Sequence, residues 1–188
     1  MTDAPPMLAL QAFRFEVRLT RSPTLTTGVP DRAPVGSTGT EQLGDGGFQE
    51  CSGLDLEADI REYLEGGRND SVIRRVGRVK LQPILLKRGM FATPEGAPGS
   101  PGSAASSGRV IPDLWVWLQD MVRGQLPVRR FDGMVAVRGP SGDQPRATWR
   151  FVRGLPVKLV GPTLNARTGE LAIEELHIAH EGLWLATR

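Results

Sequence analysis

Cysteine is nearly absent from this 188-residue sequence: Cys51 is the only one. A single thiol cannot form an internal disulfide, which excludes a disulfide-stapled secreted scaffold. A lone cysteine reads as a small core hydrophobe before it reads as a nucleophile. Histidine is almost as scarce. His177 and His180 stand three apart near the C-terminus, on opposite faces if the segment is a strand. No other Cys or His completes a ligand set, so no metal or cofactor is expected. Neither a Gly-x-Ser-x-Gly elbow nor a Gly-x-x-x-x-Gly-Lys-Ser/Thr phosphate loop occurs, and no carboxylate pair stands out for acid–base work. The expectation is therefore a protein that is not an enzyme. No apolar run approaches the roughly 18 residues of a membrane span. The first 13 residues also lack the basic and apolar regions of a signal peptide, so folding in a cytoplasm is expected.

An excess of either charge is missing too. There are 23 Lys+Arg against 21 Asp+Glu, a formal net charge of +2. That balance excludes a polybasic protein whose main partner is a phosphate backbone. Aromatic residues do not interleave with a basic stripe, so no specific nucleic-acid binding is expected. Among the basic residues only Lys80, Lys87 and Lys158 are lysine. The arginine bias reads either as a habit of a GC-rich coding sequence or as arginine-based recognition.

Glycine (23) and proline (15) are plentiful and concentrated. Residues 21–47 and 92–109 are dominated by Gly, Pro, Ser, Thr and Ala with no period of 2 or 3.6. Both read as long flexible insertions in a single domain spanning 1–188.

The rest is mostly β. Phe13, Phe15, Val17 and Leu19 alternate with Arg14, Glu16 and Arg18. Leu54, Leu56, Ala58 and Ile60 share one face after a bend or bulge at Ser52-Gly53. Val79, Leu81 and Leu85 fall on one side of a strand that Pro83 marks as an edge or bulge. Residues 131–153 read as a hairpin around Gly139-Pro140-Ser141-Gly142-Asp143. Val157 and Leu159 suggest a short further strand. In the last segment Leu171 and Ile173 share one parity, Leu176 and Ile178 the other. A strand with a bulge at Glu174-Glu175 is expected there, with a short helix over 170–179 as the competing reading. One helix is expected from Pro112 to Val122, started by Pro112 and Asp113 and ended by Gly124. Trp115 and Trp117 cannot both sit centrally on one narrow helix face, so either the apolar face is wide or one indole meets a partner. The fold class expected is mainly β: an antiparallel sandwich or open barrel of about seven strands with one flanking helix.

A series of short motifs carries a resemblance. Phe13-Arg14-Phe15-Glu16-Val17 leads to Phe48-Gln49-Glu50-Cys51-Ser52-Gly53-Leu54. Then come Glu62-Tyr63-Leu64-Glu65-Gly66-Gly67-Arg68-Asn69 and Leu85-Leu86-Lys87-Arg88-Gly89, followed by Leu114-Trp115-Val116-Trp117. Trp149-Arg150-Phe151, Leu155-Pro156-Val157-Lys158, Glu174-Glu175-Leu176 and His180-Glu181-Gly182-Leu183 close the series. In this order they resemble the inner tail tube family of contractile phages and phage-tail-like contractile injection systems.

The resemblance implies a phage tail tube-like barrel. Copies would close into hexameric rings, and rings would stack into a hollow conduit for cargo. Implied partners are copies of itself, the sheath, and the spike, baseplate or tube-family paralogues. Assembly in a bacterial cytoplasm and then residence in a virion or virus-like particle are implied as well. No catalytic residues carry over. The segment from Tyr63 to Arg75 would be a loop or arm touching the next ring. Tyr63, Gly66, Gly67, Arg68 and Asn69, with Trp115 and Trp117, are therefore the candidate subunit or ring-stacking residues; a plain turn is the alternative for Gly66, Gly67 and Asn69. The two insertions leave open a specialised tube-initiating ring that links tube to spike or baseplate. A reading of another class is a ligand-binding β-barrel or accessory enzyme module with mobile loops as lids.

Overall fold

The computed structural model describes residues 11–23, 42–43, 47–67, 70–92, 112–139, 144–167 and 169–186. Most of the expected insertions at 21–47 and 92–109, and residues 140–143 of the expected turn, lie outside the described residues. The elements are β1 (Phe15–Arg21), β2 (Gln42–Leu43), β3 (Glu50–Ser52), β4 (Leu56–Tyr63), β5 (Ile73–Leu81), β6 (Ile84–Gly89), α1 (Asp113–Val122), β7 (Phe131–Arg138), β8 (Pro145–Val160), β9 (Ile173–Ala179) and β10 (Gly182–Leu185). The fold is mainly β and antiparallel with one helix. Among the described residues ten strands replace the expected seven: two expected strands divide, at Gly53 and at Pro83, two merge into β8, and β2 and β10 emerge from stretches not read as strand. Leu43 on β2 pairs with Leu19 and is buried, which anchors that stretch to the core.

An eight-stranded sheet runs β2-β1-β7-β8-β9-β6-β3, with β10 also on β8. Strand β8 organises it. Its first half pairs with β7 and β10, its second half with β9. The expected short strand at Val157 and Leu159 is the continuation of β8 past a bend. Arg153 takes a positive φ of 52° there, and Asp132 holds the bend by accepting from the Arg153 backbone N–H (2.9 Å) and the Ser22 hydroxyl (2.5 Å). Gly133 has no substitute at its site: a Cβ would stand 2.0 Å from the Phe151 ring that crosses it.

One apolar cluster draws on both halves of the sheet. Val17, Leu19, Val135 and Phe151 come from the first half, Ile84, Leu86, Leu176 and Ile178 from the second. Helix α1 closes it with Leu114 and Trp117. Trp117 meets Phe131 edge-on at 4.8 Å, and its indole N–H donates to the Arg129 carbonyl at 2.9 Å. The interior is thus filled by the chain's own large side chains.

Strand β9 is regular, and the bulge expected at Glu174-Glu175 is not there. Ile84 to Gly89 pair without a break with Ile178 to Ile173. Glu174 keeps parity with Leu176 and Ile178 and points inward, while Leu171 lies outside the strand and is exposed. Glu174 is tolerated inside because Arg88 Nε donates to it at 2.6 Å and Trp115 Nε1 at 2.9 Å. Arg88 also grips Asp113, which accepts from the Leu114 N–H at the helix start. The network ties α1 to β6 and β9.

Candidate subunit interface

Strands β4 and β5 form a separate two-stranded ribbon that pairs with no strand of the large sheet. Pro83 explains the departure. It breaks what was read as one strand into β5 and β6, so the chain leaves the sheet there. Gly53 (φ 80°) stands beside it, where a Cβ would lie 2.1 Å from the Pro83 carbonyl oxygen. A bend at Ser52-Gly53 was expected, and here it separates β3 from β4.

The ribbon has no core. A bulge in β5, where Gly77 and Arg78 stand opposite Asp59, brings Val76 rather than Gly77 across from Ile60. Strand β4 itself keeps its alternation, so Leu56, Ala58 and Ile60 share a face as expected, but that face is exposed. Ile60 then pairs with Val76, and the two are 64% and 82% exposed. Leu56, Tyr63 and Val79 are exposed as well. An isolated two-stranded ribbon is marginal in water, and contiguous exposed apolar surface marks a contact site. The ion pairs Lys80–Asp59 (2.7 Å) and Arg74–Glu62 (3.3 Å) are exposed and contribute little.

The sequence-derived residues separate into two groups. Tyr63 ends β4, and Gly66 and Gly67 make the turn after it, with open space around both. Arg68 and Asn69 lie outside the described residues. Trp115 and Trp117 are remote from this tip. Trp117 is a core residue, 1% exposed, and offers no surface to a neighbour. Trp115 is half-buried and bonded to Glu174. The exposed Ile60–Val76 pair and the Arg88–Glu174 network were missed. The pair needed the bulge to be foreseen, whereas Glu174 was legible from its parity with Leu176 and Ile178.

The sheet leaves edges as well. On β1, Phe15 to Arg18 have no strand beyond them among the described residues, since β2 reaches only Leu19 and Thr20. On the far side β3 pairs with β6 alone. Such edges template pairing with another chain unless they are covered.

The remaining chemistry-bearing residues have structural roles. Burial pushes the Cys51 thiol up to about 11, so it is no thiolate at neutral pH. No group of three His, Cys, Asp or Glu among the described residues could hold a metal. No described helix is long and apolar enough to cross a membrane. His180 sits at the root of the ribbon, donating from Nε2 to the Gln82 carbonyl at 3.1 Å. Its Nδ1 is buried with no hydrogen-bond partner.

Burial holds the His180 pKa below its ordinary 6.5. The unfolded chain then takes up this proton more readily than the folded one. The stability is present in full above about pH 6.5 and declines as pH falls toward the folded-state value. The urea midpoint is expected to drop between about pH 7 and pH 5, and His180→Gln to flatten that drop. Equal pH dependence in both proteins would contradict this role.

Comparison with known proteins turns this geometry into an identity. The sequence pattern of the T4-like virus tail tube protein gp19 family matches residues 11–96 and 110–184. The chain belongs to this family. The unmatched stretch between, 97–109, falls inside the 92–109 segment, whereas 21–47 lies within the first matched part. The family is one of structural tube proteins. The comparison with curated proteins gave no match. Solved structures share the fold. A chain from the cryo-EM structure of the anti-feeding prophage cap (the AFP tube terminating cap) superimposes with a TM-score of 0.67 at 21% identity, covering 99% of this chain and 96% of that one. One from the sheath/tube terminator of the PVC extracellular contractile injection system gives 0.66 at 20% identity, covering 96% and 99%. One from the PVC sheath–tube complex gives 0.64 at 19%, covering 96% and 93%.

Proposed function

We propose that this chain is a ring-forming, hexameric inner tube subunit of a contractile phage tail-like injection system, its rings stacking into a hollow conduit for cargo. The ribbon carries the reading: a member of a tail tube family extends nine-residue β5 and its partner β4 beyond any core of its own. Neighbouring copies supply the missing cover. The open edges at β1 and β3 point the same way, because pairing around a ring removes them as barrel closure does within one chain. Sheath and baseplate are the further partners. The protein assembles in the bacterial cytoplasm and acts without catalysis.

A second reading is a specialised ring at one end of the tube. Its support is the likeness to chains in a tube terminating cap and a sheath/tube terminator, together with residues 97–109 outside the family match. Sedimentation velocity of the purified protein against concentration tests the proposal. A repeating subunit gives ring-sized species that grow into long stacks; a specialised ring stops at the ring. A monomer at every concentration contradicts both.

A further inference from the structure

Taking the ring-stacking reading as its basis, we infer where the ribbon lands: on the 161–172 loop of the next copy, with Arg61 and Arg75 closing on that copy's Glu170. Three observations lead there.

The first is an unanswered charge. Arg61 and Arg75 are directly opposite each other in the β4–β5 ladder, on one face and both exposed. Like charges directly opposite destabilise a strand pair. Neither has an ion pair among the described residues; Arg75 has only the Tyr63 ring, 5.8 Å away. Two guanidinium forks side by side make a site for a carboxylate. Tyr63 and Ile73, the next pair on the same face, give it an apolar flank.

The second is an unanswered acid. Glu170 is exposed and has no partner among the described residues. Among the described residues the other exposed acid without a partner, Asp55, stands at the root of the ribbon itself. Leu171, 82% exposed, follows Glu170 directly in the chain. The loop has an internal turn, in which Asn165 Oδ1 accepts from the Arg167 N–H at 2.9 Å. An acid beside an exposed leucine thus matches an arginine pair with an apolar flank.

The third is placement. The ribbon leaves the sheet at the Ile84 end of β6, whereas the loop enters it at Ile173, opposite Gly89 at the other end of β6. The two surfaces are on opposite ends of the sheet, about 17 Å apart along β6. A contact between opposite ends of identical subunits is head-to-tail, and repetition along one direction makes an open stack. The occupant is therefore a second copy of this chain.

Charge exchange in the full-length protein tests the docking. Glu170→Arg alone, or Arg61→Glu with Arg75→Glu, is expected to weaken stacking at least about 100-fold while single rings persist. Combining all three substitutions in one chain is expected to restore stacks. Independently, Tyr63→Cys with Leu171→Cys is expected to give an oxidation-dependent ladder of linked subunits; the Cys51 thiol, pushed up to about 11, stays protonated at neutral pH and does not contribute. Unchanged stacking in Glu170→Arg, no restoration in the combined variant, or no ladder overturns the docking and leaves the ring reading standing. Wild-type protein that forms no rings overturns both.

Discussion

Replacing Arg88 with methionine will lower subunit stability by about 3–5 kcal/mol, the usual cost of leaving a buried carboxylate without its cation. Glu174 is 2% exposed at its side chain, and among the described residues Arg88 alone supplies it with a cation. Asp113 loses the same cation at the start of α1. For a chain of this size the loss corresponds to a fall of roughly 10 °C in Tm, read by circular dichroism. Adding Glu174→Leu should recover most of it, because an apolar pair of similar volume removes the stranded charge. A loss below about 1 kcal/mol in Arg88→Met would show that the network does not hold the helix to the sheet.

Placing aspartate at Ile60 and Val76 has the opposite profile. Both side chains are exposed in the isolated subunit, so Tm should move little. Assembly should collapse. Burying each residue under a neighbour contributes about 1.5–3 kcal/mol, so removing both raises the concentration needed for assembly on the order of 10²- to 10⁴-fold. Burying aspartate in their place adds a desolvation cost. The pair of measurements is a melting curve and a sedimentation profile of the same variant. A large drop in Tm would mean that the ribbon belongs to the subunit's own core. Unchanged assembly would mean that these side chains are not covered.

The strands and helix were legible because alternation and helical spacing report a buried face. Val17 and Leu19, and Leu176 and Ile178, follow the rule. The same rule failed for β4, where Leu56, Ala58 and Ile60 alternate but no face is buried within the subunit. Period 2 says that one side of a strand will be covered; it does not say by which chain. The bulge assigned to Glu174-Glu175 failed for a related reason. Leu171 and Ile173 were read as one buried parity, but Leu171 lies outside the strand and Glu174 takes the inward place. Arg88 and Trp115, which make that possible, are 86 and 59 residues away, and local sequence cannot announce them. Of the candidate interface, Tyr63, Gly66 and Gly67 were found through the motif series. Trp117 was drawn in with Trp115 by their two-residue spacing and by the motif series, and the wide apolar face that was the alternative reading is what buries it.

The most direct test of a shared tube is electron imaging of the purified, concentrated protein, viewed end-on. Hollow six-fold rings joined along their axis by density from β4 and β5 are the expected result. Discrete single copies at every concentration, with β4 and β5 folded back against their own sheet, would contradict the account.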